Sequence, residues 1–261
     1  MSECNDVLEP AKMDVSSFLE ANPKAARSLA NVQRRLLRCY LPDFDNIECS
    51  VMCRQAEIVG GDFYDVLRLP TGELGIAIGD VSGKGLEAAL MMASVQATLR
   101  AELRHAADIG TALTRVNDLF HEASLEYCYA TLFYAALDPS TGLMKYVNAG
   151  HVPPLLMQRE RATEWLDRGG PPVGILPACT YDVGSITLHP EDILVAYTDG
   201  VIETRNMSGQ QFGVNRLVGI VRASDDRTPG ALSADITTTV VTFSGGATQH
   251  DDMALVILRI R

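Results

Sequence analysis

Residues 60–85 read GGDFYDVLRLPTGELGIAIGDVSGKG, with a glycine-flanked acidic cluster at each end of two strand-length runs. Phe63 to Leu69 and Leu74 to Gly79 are separated by Pro70-Thr71-Gly72-Glu73, a turn sequence that predicts an antiparallel hairpin. Folding the second run back on the first sets Asp62 beside Asp80, with Asp65 close by. Carboxylates held together in this way repel, and a bound divalent cation relieves the conflict. Hard cations such as Mg²⁺ or Mn²⁺ take oxygen ligands, and the Cys or His set that zinc prefers is not nearby. Taken alone, the two aspartates also suit the simpler role of turn residues beside glycine.

The chain has 261 residues, 47% of them hydrophobic and 21% charged, a length that suits one large domain or two small ones and allows a substantial core. A formal net charge of −11 disfavours unspecific nucleic-acid or anionic-membrane binding and suits cations better. Cys4, Cys39, Cys49, Cys53, Cys128 and Cys179 form no CxxC pair, so neither a zinc ribbon nor a redox dithiol is expected. Cys49 and Cys53 share one face of an expected strand and read as buried structural thiols. The acidic start MSECNDVLEPAKMD is no secretory signal, and no apolar run is long enough to span a bilayer, so a reduced cytoplasmic protein is expected.

Three parts are expected: a flexible lead-in over 1–23, a linker or regulatory helix over 24–42, and one main domain over 43–261. In the helix, Leu29, Val32, Leu36, Leu37 and Tyr40 form an apolar stripe opposite Arg34, Arg35 and Arg38, and Pro42 closes it. After the hairpin, Leu86 to His105 and Ile109 to Ser124 predict two helices forming one outer layer. Strands follow at 129–137, 143–148, 154–158, 163–166, 181–188 and 193–198. The turn Asp138-Pro-Ser-Thr-Gly142 gives Asp138 a structural role. Helices at 213–223 and 229–242 precede a last strand at 253–260. Strands in two blocks with helices in two blocks argue α+β, a β-sandwich with helices packed outside.

Two later stretches repeat the opening pattern. ILVAYTDGVIE, residues 193–203, runs an apolar strand into Asp199, and His250-Asp251-Asp252 stands just before the final strand. Each aspartate alone is a common turn residue, but four acidic clusters at strand ends of one core favour a shared metal site. Rival phosphate chemistry does not fit. Cys49 to Arg54 is one residue short of Cys-x₅-Arg, and Gly79 to Gly85 departs from the P-loop spacing.

VGGDFYD (59–65), GDVSGKG (79–85), NAGHVPP (148–154), AYTDGVIE (196–203) and HDDM (250–253) together resemble the metal-dependent PPM protein serine/threonine phosphatases. The bacterial SpoIIE/RsbU-like branch is the nearest. The resemblance covers about residues 30–261. It implies an αββα four-layer sandwich, two antiparallel sheets flanked by helices, holding two Mn²⁺ or Mg²⁺ ions. It further implies that Asp80 bridges both ions, that the Val81 carbonyl helps the second, and that Asp62, Asp199 and Asp251 complete the set. Asp252 is a further candidate ligand, and Asp65 a supporting residue. The implied activity is hydrolysis of phosphoserine or phosphothreonine by a metal-bridging hydroxide. The implied substrate is a phosphorylated anti-anti-sigma (STAS) protein in partner switching. An upstream regulator, or a homodimer through the N-terminal helix, is expected.

The chain also departs from the family pattern. Asp80 is followed by Val81-Ser82 where eukaryotic relatives carry a histidine proposed as general acid, and Glu57 stands about where their phosphate-binding arginine would be. His151 or His250 is a substitute acid, although His151 also suits a purely loop-fixing role. Ala254 replaces a threonine common in the bacterial branch. An inactive binding scaffold and a metal-dependent hydrolase of small phosphoesters are the two rival readings.

Overall fold

The computed structural model describes residues 15–38, 41–106, 108–124, 127–158 and 163–261. Residues 1–14 of the expected lead-in, with Cys4, lie outside the described residues, as do Cys39 and Tyr40 at the end of the expected first helix.

The lead-in is not structureless throughout, because α1 (Val15–Ala21) is helical and Leu19 is buried. The helix α2 (Pro23–Leu36) begins with Pro23 in its first turn, where the missing N–H costs nothing. It stops at Leu36, ahead of Pro42. Its docked face follows the apolar stripe only in part: Leu37 is buried, but so is the polar Gln33, while Val32 is 55% exposed and Leu36 is exposed. Hydrogen bonds set this orientation. Gln33 Nε2 donates to Gly60 O at 2.7 Å, and Gly60 N donates to Gln33 Oε1 at 3.2 Å.

After β1 (Ile47–Arg54) the hairpin forms as its turn sequence predicts. β2 (Phe63–Arg68) and β3 (Leu74–Val81) pair antiparallel with Phe63 opposite Gly79, so Asp62 and Asp80 flank the open end. α3 (Gly85–Glu102) and α4 (Ile109–Ala123) come next, the second capped by Asp108, whose carboxylate accepts Thr111 N at 2.9 Å. Then β4 (Ala130–Leu137), β5 (Leu143–Ala149), β6 (Leu155–Met157), β7 (Glu164–Trp165), β8 (Gly169–Gly170), β9 (Gly184–Thr187) and β10 (Ile193–Tyr197) complete most of the two sheets. The turn before β5 is held by Asp138, which accepts Ser140 N at 2.8 Å, as expected of a structural residue. A short helix α5 (Asp199–Glu203), then α6 (Val214–Ala223), α7 (Pro229–Ser244) and β11 (Met253–Ile260), close the chain.

One sheet runs β1-β11-β10-β6-β7, the other β2-β3-β4-β5-β8 with β9 on β5. Side chains alternate across each strand, which explains the layers. Ile76, Ile78 and Phe133 point inward against Leu194, Ala196, Val256 and Leu258 of the facing sheet. Ala77 and Tyr134, one residue out of step, meet Met92, Val95, Leu113 and Val116 of α3 and α4. On the far side Val195 and Ile257 pack under Leu217, Leu232 and Ile236 of α6 and α7. The result is the four-layer αββα sandwich. Strands covered on both faces need apolar side chains in both registers, which is why LGIAI and MALVILRI read as nearly continuous apolar runs. Among the described residues no helix is long and apolar enough to cross a membrane.

Gln33→Ala leaves the buried N–H and C=O of Gly60 without their side-chain partner, so we expect a loss of about 2 kcal/mol in urea denaturation.

Candidate metal centre

The alternation that builds the core also delivers the site. Asp80 continues the inward row of Ile76 and Ile78, and Asp62 that of Tyr64 and Val66. From the facing sheet, Thr198 extends the row of Leu194 and Ala196, and Asp252 that of Ala254, Val256 and Leu258. Asp199 opens α5 immediately after β10, and Asp251 immediately precedes Asp252. Acidic side chains from both sheets therefore converge where the sandwich opens.

Hydrogen bonds fix two of them. Thr198 Oγ1 donates to Asp62 Oδ2 at 2.7 Å and accepts Ala254 N at 2.8 Å, a relay that ties β10 and β11 to the hairpin. Asp252 Oδ1 accepts Ala56 N at 2.7 Å, and its Oδ2 lies 3.4 Å from Asp62 N. The loop reaches this position only because it is glycine-rich. A Cβ on Gly60 would stand 1.8 Å from Asp252 Oδ2, and one on Gly61 2.5 Å from the Val81 carbonyl. The Val81 carbonyl thus borders the loop beside Asp80.

The electrostatics are those of crowded anions. Burial, then the Asp80 charge, pushes the Asp62 carboxyl well above the usual range, and Asp62 is 1% exposed. Asp80 is pushed up to about 7 by burial and then by Asp199, Asp251 and Asp252, while it shares a hydrogen bond with Asp62. Asp199 is raised by burial, then by Asp251 and Glu203, and Asp252 is raised by burial despite the amides it accepts. Among the described residues no three acidic, histidine or cysteine side chains are already closed about one point, so the set is a rim of carboxylates rather than a finished cage. Its donors are oxygens throughout, which suits Mg²⁺ or Mn²⁺ and not zinc. Cys53 lies close by but stays a thiol, its pKa raised by burial and by Asp62.

Asp62, Asp80, Val81, Asp199, Asp251 and Asp252 are therefore brought together. Asp65 is not: it is buried on the helix side of β2, where Arg100 Nη2 of α3 donates to it at 2.9 Å. His151 serves the loop. Its Nδ1 meets Thr131 Oγ1 at 2.8 Å and its Nε2 meets Tyr197 O at 3.1 Å, and burial lowers its pKa to about 4, so it is neutral. His250 is exposed, and its carbonyl accepts a hydrogen bond from Lys84 Nζ. Sequence reasoning gave no role to Thr198 or Gln33. The Thr-Asp-Gly order carried a signal for the first, and an isolated glutamine on a polar helix carried none for the second.

The raised carboxyls set the sign of a pH effect in metal-free protein. Native Asp80 holds its proton up to about pH 7, whereas the unfolded carboxyl releases it near its ordinary value of 3.8. Stability therefore falls as pH rises between these values. Thermal denaturation of metal-free protein should show a smaller fall for Asp80→Asn than for wild type. Added Mn²⁺ at pH 7.5 should raise the wild-type Tm more than the variant's.

Residues 70–261 match the family model for Stage II sporulation protein E, SpoIIE, a span that includes Asp80, Asp199, Asp251 and Asp252 while Asp62 precedes it. Protein IcfG of Synechocystis sp. is 29% identical over 252 residues, covering 86% of this chain and 40% of IcfG. Phosphoserine phosphatase RsbU of Bacillus subtilis is 29% identical over 184 residues, 69% of this chain and 54% of RsbU. The chain thus spans about half, or less, of these relatives. Among solved structures, the SiaA-PP2C domain of Pseudomonas aeruginosa shares the fold, with a TM-score of 0.78 over 93% of this chain and 100% of that domain at 18% identity. Since the matched span takes in well over half of the sequence and every strand from β3 to β11, the chain belongs to the SpoIIE family.

Proposed function

We propose that this chain is a metal-dependent protein serine/threonine phosphatase, acting in the cytoplasm on a phosphorylated anti-anti-sigma (STAS) partner. The observation that carries the reading is the convergence of Asp62, Asp80, Asp199, Asp251 and Asp252 at one open end of the sandwich, where burial and the charge of neighbouring aspartates raise the carboxyls of Asp62, Asp80 and Asp199. Family membership and the likeness to a phosphoserine phosphatase support the same activity. Residues 43–261 form the catalytic domain in this reading, and α2 is the element on which an upstream regulator or a second copy acts.

Two divalent cations, Mn²⁺ or Mg²⁺, would be held by Asp62, Asp80, Asp199 and Asp251, with the Val81 carbonyl and Asp252 at the margin. When bound, they supply charge that stabilises phosphoryl oxygens and acidifies water. The protein's own groups orient that chemistry. Thr198 fixes one Asp62 oxygen and leaves the other toward the rim. Asp252, bonded to the Ala56 amide, holds the Gly60-Gly61 loop in place. His151 is buried with both ring nitrogens engaged, so the leaving serine takes its proton from the solvent side of the site. Ala254 leaves the Asp62 contact intact, because the hydroxyl there comes from Thr198.

Phosphate release from a phosphoserine-bearing STAS protein and from 4-nitrophenyl phosphate, with Mn²⁺ present, tests the reading. Asp80→Asn should lose on the order of a thousandfold in rate, matching the several kcal/mol of Lewis-acid stabilisation. Asp199→Ala should weaken Mn²⁺ binding in titration calorimetry with an unchanged circular dichroism spectrum. Wild-type protein that binds Mn²⁺ yet releases phosphate from neither substrate would contradict the assignment.

A further inference from the structure

Beside the carboxylate rim lies a cavity of about 210 Å³ that the proposed chemistry does not use. It borders Asp251 and Gly200 and leads away from them between the end of β1, α5 and the C-terminal end of α7. Val240 and Met253 line it with apolar surface, and Arg54, Lys84 and Arg205 supply three cations. In a chain of net charge −11, three cations on one small cavity beside a cluster of aspartates are a local reversal. Of the two lining carboxylates, Asp251 belongs to the rim and Glu203 acts on Asp199.

The cations are held to different degrees. Lys84 Nζ donates to His250 O, and Arg205 Nη1 donates to Gly209 O at 3.1 Å, so each is positioned while keeping further N–H groups. Arg54 is exposed, and among the described residues its guanidinium has no hydrogen bond or ion pair. A guanidinium offers a planar fork that matches a carboxylate. The volume is below the ~300 Å³ at which small-molecule sites begin, which suits one or two side chains of a larger partner.

We propose that this cavity receives an acidic side chain, Asp or Glu, flanking the phosphoserine of the protein substrate, with Arg54 as its main contact. The proposal rests on the phosphatase reading for the origin of that segment. Charge-assisted hydrogen bonds to Arg54 and Lys84 would favour Glu over Lys at the flanking position, and a lysine there would meet like charge.

The test uses fluorescein-labelled peptides that carry serine without phosphate, flanked either by glutamates or by lysines, and reads binding to the full chain by fluorescence anisotropy. The glutamate peptide should bind roughly tenfold more tightly than the lysine peptide, and Arg54→Glu or Arg205→Glu should abolish that preference. Equal binding of both peptides, or a preference unchanged in Arg54→Glu, would overturn the proposal. So would full displacement of the glutamate peptide by millimolar inorganic phosphate, which would mark a generic anion site. Because the peptides carry no phosphate, their binding is read independently of hydrolysis. Failure of the phosphatase reading would show separately as absent phosphate release.

Discussion

Everything in this molecule depends on keeping several aspartates in one place that they would leave if free. Asp62 and Asp80 flank the open end of one hairpin; burial and then the Asp80 charge raise the cost of ionising Asp62, while burial and then Asp199, Asp251 and Asp252 do the same for Asp80. Asp199, Asp251 and Asp252 add charge from the second sheet. Such a cluster subtracts from the stability of the empty fold at neutral pH, and a divalent cation reverses the sign of that contribution. The core must therefore hold the carboxylates without help from them.

The sandwich does so through register. Eight paired residues between β1 and β11 and eight between β3 and β4 leave no freedom to slip, because a shift of one position would exchange the inward and outward side chains. Rows of Ile, Val and Leu that pack the interior end in Asp62, Asp80 and Asp252, so the packing that orders the core also aims the carboxylates. Thr198 and the Gly60-Gly61 loop then carry the fit across the gap between the sheets. Through Gln33, that same loop is joined to α2, which places the N-terminal helix one peptide unit away from Asp252 and Asp62.

Much of this was legible in the sequence for physical reasons. Turn chemistry at Pro70 to Glu73 specified the hairpin and therefore the Asp62–Asp80 approach. An apolar strand running into Asp199, and another starting just after Asp251-Asp252, announced the other half. The parts that escaped are those with no periodic signal. β8 is a pair of glycines with no side-chain pattern, and α5 is too short to show a helical period. The docking face of α2 is only partly the apolar stripe, because a buried amide, Gln33, sits beside Leu37 where Val32 and Leu36 of the stripe stay exposed. Asp65 looked like Asp62 in sequence, and only the strand's alternation sent it to Arg100 on the opposite face.

The central claim is that these carboxylates form one divalent-cation site spanning both sheets. Diffraction from crystals soaked in Mn²⁺, recorded at the manganese absorption edge, tests it most directly. The account predicts anomalous density between Asp80 and Asp62, extending toward Asp199 and Asp251. Density elsewhere on the protein, or none at this end of the sandwich at saturating Mn²⁺, would contradict it.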